Sequence, residues 1–373
     1  MMSYCRTAIL ACVGFIGLAA NDSTLTRTAG KYQVSLRLPP DGLFAQEESE
    51  IEFHIGDESQ QDPLSGAVPV VRAAIDVSID MQSMPGMPGF QETAHPEPVP
   101  GDYGVHPTFA HGGDYVMRVS VRPPQDAPFH VDFPLEIRDA AAGRDRKAHP
   151  GRFRVELISS PKNPKASEPA DLQLIVRERD RPKDIFTTFE QTHEELMHLI
   201  IVRDDLTQFS HEHPVLGTDG VFRLHYAFPV SGEYHLFADV APKGAGSQVL
   251  MAKLKVSGNA RAAAAPVERA DAPRVELKTS GSPSPIRQTT RVVFSVQPTD
   301  GLEPYLGARA HLIAIYQDAI TFVHAHADEE QPFDGKFEFL ARFPQPGSYR
   351  AWVQFKRNGQ VITREFTLEA KGN

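Results

Sequence analysis

HLIIVRDDLTQFSHEHP, residues 198–214, returns as HLIAIYQDAITFVHAH at residues 311–326. His198, His211 and His213 thereby recur as His311, His324 and His326, with the same H-x12-H-x-H spacing. Each copy is an apolar run (Leu199 to Val202; Leu312 to Ile315), a short polar break, and a second run ending in H-x-H. That is the pattern of a β-hairpin. A two-residue loop at Asp204-Asp205 or Asp205-Leu206 makes paired positions sum to 409 or 411, which sets His198 opposite His211 or His213. Side chains of i and i+2 share a face, and directly opposed residues sit about 4.5–5.5 Å apart. The three imidazoles of each copy are therefore expected to converge at the open end of the hairpin. A three-residue loop would turn His198 to the other face.

The punctuation around the hairpins extends the repeat. Asp219-Gly220-x-Phe222, Phe228-Pro229 and Gly232-Glu233-Tyr234 are matched by Asp334-Gly335-x-Phe337, Phe343-Pro344 and Gly347-Ser348-Tyr349. An earlier stretch carries Gly101-x-Tyr103, Phe109 and Gly113-Asp114-Tyr115. A glycine permitting a tight turn, followed two residues later by an aromatic opening an alternating strand, is a sandwich corner. The tyrosines and phenylalanines at these corners, and Trp352 after the last, read as core residues. Short alternating runs broken by Pro, Gly and Asp clusters fill the remainder, as in Tyr32 to Leu38.

The expected fold is all-β: three β-sandwich domains in tandem after a signal peptide. The boundaries fall at 1–20 (leader), 28–140, 150–257, 258–273 (an Ala- and Pro-rich linker) and 274–373. Only Glu190 to Met197 reads as helical. The length of 373 residues fits two or three domains, and 31 prolines favour turns and edges over long helices.

A net charge of −10 and a pI near 5.8 argue against nucleic acid or an anionic membrane surface as the main partner. Arg6, the apolar run Ala8 to Ala20 and the small residues Gly17-Leu18-Ala19-Ala20 form a secretory leader, too short to span a bilayer comfortably. Cys12 after Ile9-Leu10-Ala11 resembles a lipoprotein box, with little apolar chain before it. Both cysteines, Cys5 and Cys12, lie in the leader. A mature chain without cysteine must build any metal site from His, Met, Asp or Glu.

Imidazole is the commonest protein ligand for copper and zinc, and paired strands hold three of them rigidly. His198, His211, His213, His311, His324 and His326 are thus candidate metal ligands. His193, Met197 and Asp239 lie nearby in the second unit, where the third has Leu306, Ala310 and Gln354, so a fourth ligand is not shared. The first unit instead offers Met81, Met84 and Met87 in a Pro-Gly-rich segment that would break a helix. Thioethers select Cu(I). His95 joins them as a candidate ligand, with His106 and His111 as further partners.

The Met-Pro-Gly-Met-Pro segment, the Gly-x-Tyr and the Gly-Asp-Tyr corner make the first unit resemble a YtkA-like (FixH-like) domain of bacterial envelope proteins. The second and third units resemble secreted bacterial modules of the pattern HL…DL…F.H.HP followed by FP..G.Y, similar in layout to immunoglobulin-like and cupredoxin-like sandwiches. The third departs from it at Ala327, where the second has Pro214. The resemblance implies an exported, periplasmic or secreted protein linked to metal handling, chiefly of copper. No serine-hydrolase elbow, P-loop, dinucleotide fingerprint or cysteine nucleophile is present, and His193-Glu194-Glu195 with His198 is one residue off H-E-x-x-H.

The expectation is a non-enzymatic protein that buffers or delivers copper (or zinc) in the cell envelope. Its partners would be the metal ion and an envelope protein, with no nucleic acid and no membrane span in the mature chain. The alternative is an envelope spacer or interaction protein whose His clusters are structural. A metal-dependent hydrolase is a third reading, without a general base to support it.

Overall fold

The computed structural model describes residues 24–62, 66–84, 86–139, 150–258, 273–279, 284–285, 289–327, 332 and 334–371. The leader and all but the ends of the linker lie outside these residues. Every regular element among them is a strand. None is a helix long and apolar enough to cross a membrane.

The strands form six sheets, two to each sequence unit. In the second unit the order Phe153–Ser160, Pro169–Glu178, Phe222–Ala227, Val215–Leu216 faces the order Phe189–Glu190, Gly232–Pro242, Met197–Arg203, Phe209–Glu212, with Gln248–Val256 also on Gly232–Pro242. The third unit repeats this with Arg274–Thr279, Thr289–Gln297 and Lys336–Arg342 opposite a sheet in which Gly347–Arg357, His311–Tyr316 and Phe322–His326 run side by side. The first unit pairs a six-stranded with a five-stranded sheet. Each unit encloses its own core, with Phe53 and Phe133, Phe222 and Tyr234, or Phe337 and Tyr349 fully buried. Alternation of side chains along paired strands produces this layout directly.

The three glycine corners close in the same way. Gly113, Gly232 and Gly347 have φ of 155°, 148° and 128°. The hydroxyls of Tyr115, Tyr234 and Tyr349 donate to the carbonyls of His111, Val230 and Gln345, each four residues upstream, at 3.0, 2.7 and 2.9 Å. A tyrosine tied back to upstream backbone is the mark of an immunoglobulin-type corner.

Glu190 to Met197, expected to be helical, is not. Phe189–Glu190 is a short strand, and Thr192 and Glu195 exchange backbone hydrogen bonds of 2.9 and 3.1 Å across a tight turn. His193 and Glu194, at φ of 48° and 70°, occupy the left-handed region that a right-handed helix excludes.

The sheets carrying the histidines are apolar on both faces. Leu199 and Ile201 point into the second unit's core, while Ile200 and Val202 join Phe237, Ile313, Ile315, Phe322 and Trp352 in a separate cluster. That cluster lies between the second and third units, so two sandwiches pack sheet against sheet. Phe209 stacks on Trp352 at 4.4 Å and Phe237 on Phe322 at 5.0 Å, the same two positions exchanged. The reciprocity makes the joint an isologous pairing within one chain. The first unit packs beside both. Met84 sits in the third unit's core, Arg342 pairs with Glu136 at 3.0 Å, and Gln248 donates to the Thr108 carbonyl at 2.9 Å.

Candidate metal centre

The hairpin register positions the site. Leu199 pairs with Glu212 and Val202 with Phe209, so partners sum to 411, and continuing the ladder sets His198 opposite His213. In the third unit His311 pairs directly with His326. Leu206 and Ala319, at φ of 57° and 55°, turn the two loops. Ala327 adds a backbone bond to the Ala310 carbonyl at 3.0 Å. Pro214, lacking an N–H, cannot supply its counterpart. Because His198, Ile200 and Val202 share a face, the imidazoles point out of their own sandwich, toward the other one.

Two triads result. Ring nitrogens of His198, His211 and His213 lie within 4.8 Å of one another, and so do those of His311, His324 and His326. Rings of the two triads also approach: His198 and His311 are 6.0 Å apart, His211 and His324 6.1 Å.

One nitrogen of each inner ring is tied down. His198 Nε2 donates to the Thr192 carbonyl at 2.8 Å, and His311 Nε2 to the Tyr305 carbonyl at 3.0 Å. His211 Nδ1 donates to Gln354 Oε1 at 2.7 Å, while the Gln354 amide donates to Thr363 at 2.9 Å. His324 Nδ1 donates to Asp239 Oδ2 at 3.0 Å. The last pair and the His211–Gln354 pair cross between the units in opposite directions. Asp239 and Gln354, near in sequence to their own triads, therefore serve the other one.

In a neutral ring, the bonds to the Thr192 and Tyr305 carbonyls and to the Asp239 carboxylate leave a lone pair on His198 Nδ1, His311 Nδ1 and His324 Nε2. His198 Nδ1 and His211 Nε2 face each other at 3.0 Å, within hydrogen-bond distance. His213 Nε2, His311 Nδ1, His324 Nε2 and both nitrogens of His326 are buried without a partner. Ligand nitrogens bound tetrahedrally at about 2.0–2.1 Å lie about 3.3 Å apart. The triads' ring nitrogens, within 4.8 Å, are close enough that each group could hold a metal ion, and histidine ligands commonly carry outer hydrogen bonds of this kind.

Burial favours the neutral form of His193, His211, His213, His311, His324 and His326. It pushes His211, His311, His324 and His326 well below the ordinary imidazole range, aided by neighbouring imidazoles. The same causes bring His193 and His213 down to about 4. Burial raises the Asp239 carboxyl, against the pull of His111, His198 and His193.

Met197 is fully buried in the second unit's core, away from the triad face. His193 leaves its own triad and lies 3.7 Å from the His326 ring, ring centre to ring centre. In the first unit the methionines and His95 go to different places. Met81, Met84 and Met87 pack against the third unit's core. Met81 and Met84 line a small cavity with His111 and His324. His95 stacks on His106 at 4.9 Å, and the two form a group with Glu92. The destination of Met84 depends on how the units dock, whereas the His95 group is set by the first unit's own strands.

The first unit matches the family described as YtkA-like over residues 26–120. The family described as "Domain of unknown function (DUF8832)" matches twice, over residues 149–258 and 268–372. No match was found among curated proteins. Among solved structures, the chain is similar to the Escherichia coli adhesin FdeC at 14% identity, covering 93% of this chain and 99% of that one, with a TM-score of 0.21. It is similar to Yersinia pseudotuberculosis InvD at 16% identity over 59% and 58% of the two chains, with a TM-score of 0.21. At such scores the likenesses carry no argument about function. The two matched repeats, which cover both histidine hairpins, place this chain in the DUF8832 family, behind a YtkA-like first domain.

Proposed function

We propose that the protein is an exported, non-enzymatic metal-binding protein of the cell envelope that buffers or delivers copper, with zinc as the other ion its imidazoles would accept. The observation that carries this reading is the convergence of three ring nitrogens within 4.8 Å in each triad, with the inner rings locked by hydrogen bonds on their far sides. His213 Nε2, His311 Nδ1, His324 Nε2 and both nitrogens of His326 are buried and unpartnered, which a purely structural cluster leaves unexplained, while His198 Nδ1 and His211 Nε2 lie within hydrogen-bond distance of each other. Neutral imidazole suits Cu(II) and Zn(II). The YtkA-like first domain and the sandwich architecture support an envelope setting.

The test is metal analysis of the full chain purified from an export compartment, followed by titration of the stripped protein. Stoichiometric copper or zinc is expected in the parent and is lost in His211→Ala with His324→Ala. Met81→Leu with Met84→Leu is expected to leave Cu(II) binding intact and to weaken Cu(I) alone. A protein that purifies clean and gains no thermal stability from either metal would make the triads structural, and the chain an envelope spacer.

A further inference from the structure

The two triads have the same spacing but different surroundings, and the difference comes from the unit opposite. The third unit's triad receives two groups from the second: the Asp239 carboxylate on His324, and His193, whose ring lies 3.7 Å from His326 and 5.8 Å from His311. The second unit's triad receives only the neutral Gln354 amide on His211. Leu306, the counterpart of His193, has no ligand atom. Burial alone does not separate the triads: His311 and His324 are 0% and 2% exposed with His326 partly open, and His198 is 1% exposed with His211 and His213 partly open.

The turns bearing His193 and Leu306 are built alike. His193 and Leu306 have φ of 48° and 50°, and Glu194 and Gly307 have 70° and 64°. Thr192 and Tyr305 each supply the carbonyl that anchors the first histidine. The turns abut, since a Cβ on Gly307 would meet His193 Cα at 3.7 Å. His193 Nε2 is itself buried without a partner. The left-handed conformation belongs to the turn, since Leu306 shares it, but an orphaned ring nitrogen beside another unit's triad is poorly explained as packing.

We propose that the centre is a pair of unequal metal sites. The third unit's triad, with His193 as a fourth imidazole supplied by the second unit and Asp239 behind His324, is a closed site that retains its ion. The second unit's triad, three imidazoles with no fourth from the unit opposite, is the exchangeable site. A closed four-ligand shell is characteristic of retained ions, and an open position of reactive or exchanging ones. A carboxylate behind an imidazole raises its basicity more than an amide does. His193 must swing from its stack on His326 for its Nε2 to join the shell.

This inference rests on the reading of the triads as metal ligands. Its test is titration of the stripped full chain with Zn(II) at neutral pH, in competition with a chelator of known affinity. The parent is expected to bind two ions with affinities at least tenfold apart. His193→Ala and Asp239→Asn should each weaken the tighter event about 10–100-fold and leave the weaker one unchanged. His213→Ala should remove the weaker event alone. Leu306→His, which places the missing imidazole on the second unit's side, should bring the weaker affinity toward the tighter. Two equal sites in the parent, or an equal loss at both from His193→Ala, would overturn the asymmetry while leaving metal binding intact. No binding in the parent would overturn the metal reading itself.

Discussion

A buried imidazole is stable in the folded chain only while it is neutral, and burial, aided by the neighbouring His198, holds His193 and His213 neutral. For His193 and His213 the folded value is about 4 against an ordinary 6.5. The unfolded chain therefore takes up protons first as pH falls. Stability is full above about pH 6.5 and is lost as pH drops through that window toward 4. Denaturant unfolding of the metal-free protein at pH 7, 5.5 and 4.5 should show this decline, and His213→Asn should flatten it. A slope unchanged by that substitution would place the sensitivity elsewhere. The identity of the six histidines was legible from H-x12-H-x-H alone, because a hairpin's period of two needs no tertiary information. The destinations of Asp239, Gln354 and His193 were not legible: each acts on the opposite unit, and nothing local encodes that docking. Among the first-unit candidates, Met84 was drawn into a neighbouring core by docking, while His95 was held beside His106 by the first unit's own strands.

At the level of strands, His198 and His311 head runs in which every residue as far as Val202 and Ile315 is buried. A sandwich strand with one wet face would alternate, so a continuous apolar run signals a second covered face. Here that face is the other unit. Trp352, stacked on Phe209, is its largest aromatic contact. Trp352→Ala should cost about 3–5 kcal/mol in denaturant unfolding. It should also weaken metal binding at both triads, because the bonds from His211 to Gln354 and from His324 to Asp239 require the two sheets to stay apposed. A loss of stability with both affinities intact would show that the triads are organised within their own hairpins. The mistaken helix at Glu190 to Met197 has a local cause. Positive φ at His193 and Glu194 is rare for such residues, and no glycine marks the turn as Gly307 does in the third unit.

Across the whole molecule, the three sandwich units were legible from their shared corners, and the all-β class from turn spacing and proline content. Their assembly was not. The third unit's core contains a methionine from the first, and its triad hydrogen-bonds to an aspartate from the second. An ion in either triad would thus be bound by a hairpin whose inner histidine is held by the unit opposite, so loading and docking stabilise one another. Anomalous diffraction at the zinc and copper absorption edges, from crystals of the full chain grown with the ion, tests this most directly. The account predicts two peaks, one among His198, His211 and His213 and one among His311, His324 and His326, the latter stronger at limiting metal. Density confined to Glu92, His95 and His106, or no peak at either triad at saturating ion, would contradict it.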